Sequence, residues 1–198
     1  MIVIIDYGAG NLFSVKNALD FLGVQSKISS NIQDIKNADK LILPGVGAFP
    51  DAMEMLKDKG LIDIIKAEAY EKPLLGICLG MQILFEKGIE FQETKGLGLI
   101  DGIVDSVVAP KMKIPHIGWN NLKIENECRL SQGIKEDDMV YFVHSYKAVT
   151  PKENVSLYTE YGQFIPGLVF KDNVYGCQFH PEKSGEVGLT ILKNFKEL

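Results

Sequence analysis

Cys78 stands between two glycines in Gly76-Ile77-Cys78-Leu79-Gly80, and His180-Pro181-Glu182 lies near the far end of the chain. These residue types suit nucleophilic catalysis: a thiol to attack, an imidazole to take and return its proton, and a carboxylate to orient the imidazole. The glycines let the chain turn sharply from the apolar run Pro73–Ile77 into the helix-favouring stretch Leu79–Lys87. This is the nucleophile-elbow pattern with sulfur in place of a hydroxyl. A thiol so placed opens a helix, where the macrodipole and free N–H groups favour thiolate. Each piece also has a plain structural reading. A free cysteine is commonly inert core, a lone histidine is commonly structural, and an isolated glutamate is commonly solvated. Cys128 and Cys177 lack the glycine context. Cys177 falls in an apolar run and reads as core, and Cys128 falls in a polar loop.

The elements that must position these groups can be read from periodicity. Ile2–Ile5, Val24–Ile28, Leu41–Leu43 and Leu74–Ile77 are apolar runs of strand length. Between them, Asn11–Leu22 carries apolar residues at helical spacing and stops at Gly23. Asp51–Ala69 reads as a helix with Asp51 and Glu54 as a capping box and Gly60 as a break. Alternating strands and helices of this kind predict a central, mostly parallel sheet flanked by helices. Beyond Gly96 the chain is strand-rich: Leu97–Val108, Leu122–Ile124, Val140–Val149, Val155–Tyr161, Phe164–Phe170 and Val174–Phe179, with a turn at Lys171–Asn173. A last helix presents Val187, Ile191, Phe195 and Leu198 on one face. One three-layer α/β domain over residues 1–198 is expected.

Three glycine-bearing loops are expected at one edge of that sheet, where such folds hold ligands: Asp6–Asn11, Pro44–Ala48 and the Cys78 elbow. Gly45-Val46-Gly47 is a candidate oxyanion loop, with the Leu79 N–H as second donor. Its plain reading is a strand-ending turn. Neither phosphate-loop glycine pattern is completed, and the absence of a CxxC pair weakens zinc and thioredoxin-like readings, so no cofactor or metal is expected. The 198 residues are 46% hydrophobic with a net charge of −5, and the cations form no basic stripe, which argues against nucleic acid. The apolar N-terminal run is too short for a membrane span or a signal segment. Three cysteines at irregular spacing fit a reduced, cytoplasmic compartment.

Gly76-Ile77-Cys78-Leu79-Gly80-Met81-Gln82 and Phe179-His180-Pro181-Glu182 together resemble the class I glutamine amidotransferase family. The resemblance spans essentially the whole chain. It implies that family's three-layer fold and a Cys78–His180–Glu182 triad hydrolysing glutamine to glutamate and ammonia through a cysteine thioester. It implies Val46, Gly47 and Leu79 around the oxyanion, and Gly45, Gln82, His144, Ser145 and Tyr146 around the substrate. Asp6–Leu12, Pro44–Phe49, Pro115–Asn120, Tyr141–Tyr146 and His180–Ser184 occur in the order of the imidazole glycerol phosphate synthase branch. That narrower resemblance implies a heterodimer with a (β/α)8-barrel cyclase that receives ammonia through a channel. The cyclase then forms imidazole glycerol phosphate and AICAR in histidine biosynthesis. Asn11, Trp119, Asn120, Tyr141 and Lys183 match positions at or beside that interface. Without the family, Trp119 reads as core, and Pro115–Asn120 reads as a loop. Three alternatives stay open on sequence: a paralogous glutaminase feeding another synthase, a hydrolase using the same elbow, and a non-catalytic binding protein on the same fold.

Overall fold

Four residues in a row, Ile2–Ile5, are buried, which a strand permits only when both faces of its sheet are covered. The computed structural model describes residues 1–198 and shows that sheet. In chain order its first elements are β1 (Ile2–Ile5), α1 (Leu12–Phe21), β2 (Ser26–Ser29), α2 (Ile32–Asn37), β3 (Lys40–Gly45), α3 (Phe49–Asp58), α4 (Ile62–Glu71) and β4 (Leu74–Cys78). Then come α5 (Leu79–Gln82), β5 (Phe85–Gly88), β6 (Thr94–Lys95), β7 (Ile100–Ser106), β8 (His116–Asn121), β9 (Lys123–Ile124) and β10 (Met139–His144). The chain ends with β11 (Tyr146–Val149), β12 (Val155–Glu160), β13 (Phe164–Lys171), β14 (Val174–Cys177) and α6 (Gly185–Glu197).

Eight strands form the central sheet in the order β2-β1-β3-β4-β14-β13-β12-β9. The five strands from β2 to β14 run parallel, and β13, β12 and β9 continue the sheet antiparallel. Alternation along the strands divides the core. Val3, Ile5, Leu41, Leu43 and Leu74 pack toward α2, α3 and α4. Ile2, Ile4, Ile42, Leu75 and Ile77 pack toward α1, α6 and β10. Two smaller sheets lie beside the main one, β11-β7-β5-β6 and the β10-β8 ribbon.

Several sequence expectations are corrected. Leu79–Lys87 is not one helix: α5 spans Leu79–Gln82, and Phe85–Gly88 is strand β5, paired with β6 and β7. Helix-favouring residues yield here to the ladder, and Gly88 lies under the Phe49 ring, where a Cβ would fall 2.6 Å from Cδ2. Asp51–Ala69 is two helices, broken at Gly60 as expected. The first begins at Phe49, with Ala48 at the N-cap position and Pro50 in its first turn, so Asp51 is not the cap. The short α2, capped by Asn31 accepting from the Gln33 N–H at 2.8 Å, was not expected. Val140–Val149 divides at Ser145 into strands of two different sheets. Pro115–Asn120 is not a loop, because His116–Asn121 is strand β8, antiparallel to β10 with Trp119 opposite Tyr141.

Candidate active site

The sheet register brings the distant motifs together. β4 and β14 are neighbouring parallel strands with Ile77 beside Cys177, so Cys78 and the segment Gln178–His180 leave the sheet side by side. β3 flanks β4 on the other side, with Gly45 opposite Cys78. All three ends open onto a cavity of about 280 Å³, whose wall includes Cys78, Leu79, His180, Val46 and Gly47.

The elbow is sterically forced. Cys78 has φ +56° and ψ −113°, a conformation that L side chains rarely adopt and that persists only where the surroundings over-determine it. The constraint is at Gly80, where a Cβ would lie 1.7 Å from the Leu43 carbonyl oxygen. No side chain fits between the turn and β3, and this closeness holds Cys78 at the mouth of the strand. Gly47, with φ +100°, gives the neighbouring loop its left-handed turn, and Val46 is 48% exposed.

His180 Nδ1 donates to Glu182 Oε1 at 2.8 Å, and both side chains are almost wholly buried. The bond fixes the tautomer, so neutral His180 presents a bare Nε2. That nitrogen is buried without a hydrogen-bond partner. Burial alone lowers the His180 pKa, but Cys78 and the Glu182 carboxylate outweigh it and raise it to about 9. The sulfur is the strongest of the raising influences, placed to receive the Nε2–H of a charged His180, while Nε2 of the neutral ring has no partner. The thiol instead faces the Val143 carbonyl at 3.7 Å. Tyr7, beneath the elbow, has its phenol pKa raised by burial and then by Cys78.

Of the other expected residues, Gln82, His144, Ser145 and Tyr146 line the same cavity, while Gly45 lies beneath the elbow at the end of β3. His144 is buried, and both of its ring nitrogens are engaged. Nδ1 meets the Tyr146 carbonyl at 2.8 Å and Nε2 meets His116 Nδ1 at 2.9 Å. Its ring therefore shapes the wall and leaves no nitrogen for a ligand. A carbonyl only accepts, so both histidines carry their protons on Nδ1, and His116 Nε2 accepts from Asn120 Nδ2 at 3.3 Å. Burial keeps both neutral, with pKa values lowered to about 3 for His144 and about 4 for His116. His116 is stacked between Phe142 and Tyr161.

The turn Pro181–Lys183 packs against both α1 and β10, and the Tyr141 carbonyl accepts from the His180 N–H at 3.0 Å beside it; Asn11 stands at the start of α1. Trp119 is 54% exposed on the outer face of the ribbon, edge-on to Tyr141, with Ile117 and Met139 also exposed. Sequence reasoning missed Glu90, a carboxylate on the cavity wall whose Oε2 accepts from the Phe49 N–H at 2.7 Å and so anchors the Gly47 loop. It also missed His116 and Gln178. Only the Gly-Cys-Gln-Phe-His segment hinted at Gln178, as a polar residue at the end of an apolar strand. No cluster of side chains suited to a metal ion is present.

The profile of the family described as "Glutamine amidotransferase class-I" matches residues 3–198. The chain is similar to the "Imidazole glycerol phosphate synthase subunit HisH" of Bacillus thuringiensis (strain Al Hakam), at 51% identity over 99% of this chain and 94% of the relative. The protein of that name from Bacillus anthracis is 50% identical over the same shares. Among solved structures, one described as a glutamine amidotransferase superposes with a TM-score of 0.76 at 21% identity, covering 98% of this chain and 99% of the other. PurLQS from Thermotoga maritima superposes at 0.74 and 22% identity, covering 98% and 96%. At those identities the structures show a shared fold.

Proposed function

The chain belongs to the glutamine amidotransferase class-I family, and on that footing we propose that it is the glutaminase subunit of an imidazole glycerol phosphate synthase in histidine biosynthesis. Residues 1–198 then act as one domain. The observation that carries this reading is the buried, unpartnered Nε2 of His180, tied through Nδ1 to Glu182 and set beside Cys78 at the elbow. The long, high-identity match to proteins named for that synthase supports the choice of branch.

In this reading His180 takes the thiol proton, and the thiolate attacks the side-chain amide carbon of glutamine. The oxyanion lies toward the Leu79 N–H and the Val46–Gly47 backbone. When it collapses, the C–N bond breaks and His180 returns the proton to the nitrogen, releasing ammonia and leaving a γ-glutamyl thioester. His180 then deprotonates a water that cleaves the thioester to glutamate and free thiol. Glu182 keeps the imidazole oriented and favours its charged form. Glu90 is the only carboxylate on the cavity wall and suits the ammonium group of an amino acid. Gln82, Ser145 and Tyr146 surround the substrate, Gly45 supports the elbow beneath it, and His144 braces the Tyr146 carbonyl.

The partner in this reading is a (β/α)8-barrel cyclase that uses the ammonia. It would cover the exposed Trp119 face together with Asn11, Asn120, Tyr141 and Lys183. Tryptophan at the centre of such a face is a frequent anchor. The protein would work in the cytoplasm, in keeping with three unpaired cysteines and no helix long and apolar enough to cross a membrane. The test is glutamate release from glutamine by the chain alone, then with the cyclase and its ribonucleotide substrate. Low activity alone and strong stimulation by both is the expected result. Strong activity indifferent to that cyclase would instead favour a glutaminase serving another synthase, and no activity in either setting would favour a binding protein.

A further inference from the structure

Gln178 is fully buried immediately after β14, and the pairing of Cys177 with Ile77 sets it beside Cys78. A buried amide has to be satisfied on both its oxygen and its nitrogen. Its Oε1 accepts from Gln82 Nε2 at 3.0 Å, and its Nε2 reaches the Cys78 sulfur at 3.9 Å.

The direction of this pair is determined by chemistry. Gln82 Nε2 also donates to the Tyr146 main-chain carbonyl at 3.1 Å. A carbonyl cannot donate, so Gln82 must turn its nitrogen there. Gln178 must then offer its oxygen to Gln82, which leaves its own N–H facing the sulfur. His144 Nδ1–H braces the same Tyr146 carbonyl. Both N–H groups of Gln82 are thereby engaged within the protein, so only its oxygen is left for a ligand in the cavity. That oxygen suits a ligand that donates, such as the ammonium of an amino acid.

We propose that Gln178 is a further catalytic residue: its side-chain N–H donates to the Cys78 sulfur, and its carbonyl oxygen fixes Gln82 with the oxygen toward the substrate. What the sulfur does next rests on the glutaminase reading above, whereas the contact itself does not. A charge-assisted N–H donor stabilises thiolate over thiol. His180 and Glu182, Tyr7 after β1 and Glu90 on the cavity wall also face the sulfur region, and they are unchanged when only Gln178 is altered.

The test is the pH profile of Cys78 alkylation by iodoacetamide in the wild-type chain and in Gln178→Met, which keeps the length and removes the amide. The midpoint is expected to rise by about one pH unit, so that alkylation on the rising limb slows about tenfold. The KM for glutamine in the complex is expected to rise as Gln82 loses its constraint. A second measurement needs no altered Gln178. In protein labelled with ¹⁵N-glutamine, the Gln178 side-chain amide signal should move with the alkylation midpoint, and that movement should vanish in Cys78→Ser. An unshifted profile in a folded Gln178→Met protein, or an amide signal indifferent to Cys78, would overturn the role of Gln178. A wild-type chain that alkylates normally but releases no glutamate even with the cyclase and its ribonucleotide substrate would overturn the glutaminase reading instead, with both Gln178 readouts intact.

Discussion

The substitution Glu182→Gln should change how stability depends on pH in a sense that can be worked out beforehand. In the fold His180 has its pKa raised from 6.5 to about 9. A group raised in this way stabilises the native state fully below pH 6.5 and loses that contribution as pH climbs through 9. The difference between the two values corresponds to about 3 kcal/mol, with Cys78 and Glu182 both contributing. Burial acts in the opposite direction. Without the Glu182 charge, burial gains weight and the His180 value falls toward or below its unfolded value. The introduced amide would still accept the Nδ1–H, so the geometry is kept and the charge alone is lost. Urea unfolding of both proteins from pH 5.5 to 9.5 is the assay. The stability difference should be largest, at about 1–3 kcal/mol, below pH 6.5 and should shrink steadily toward pH 9.5. Cys78→Ser should show the same sign, because the sulfur is the larger of the two raising influences on His180. A difference that is constant with pH, or that grows as pH rises, would refute the argument.

Gly80→Ala forces a Cβ to within 1.7 Å of the Leu43 carbonyl, so it should cost about 3 kcal/mol or more and abolish glutamine turnover; an unchanged melting curve would contradict this. His116→Phe keeps the stack with Phe142 and Tyr161 but leaves His144 Nε2 without its donor, at a cost of about 1–3 kcal/mol. Because His116 is lowered to about 4, the wild type loses stability as pH falls from 6.5 toward 4, and this variant should lose less over that interval in acid unfolding. Trp119→Ala touches a half-exposed ring, so the isolated chain should change by no more than about 0.5 kcal/mol. Its calorimetric affinity for the proposed barrel cyclase should drop by about 2 kcal/mol or more, and unaltered affinity would remove Trp119 from the proposed interface.

The parts of the fold that sequence made visible are those where one force acts alone. Ile2–Ile5 and Leu74–Ile77 are uniformly apolar because both faces of the sheet are covered, and Gly23 and Gly60 end helices that have no competing partner. The proposed triad was visible because its residues sit beside glycine and proline, whose backbone constraints mark sharp turns. What stayed hidden depended on tertiary contacts. In β8 the polar His116 is buried while Ile117 and Trp119 face outward, which inverts the usual strand pattern and made the segment look like a loop. Glu86 and Lys87 are ordinary helix formers, and only the pairing of Phe85–Gly88 with β6 and β7 makes it a strand. Glu90 and Gln178 carry no local signature. Their roles come from what a distant loop and a neighbouring strand bring to them.

The Tyr146 carbonyl has a consequence for how lineages of this protein can diverge. The Gln82 amide and the His144 ring both converge on a main-chain oxygen, which every residue type possesses. The anchoring duty of position 146 is therefore inherited independently of its side chain, which lines the cavity and answers to the substrate instead. A library randomising residue 146 would separate these duties: glutamine turnover should vary with the side chain, while the Gln82 and His144 bonds to the main-chain oxygen persist.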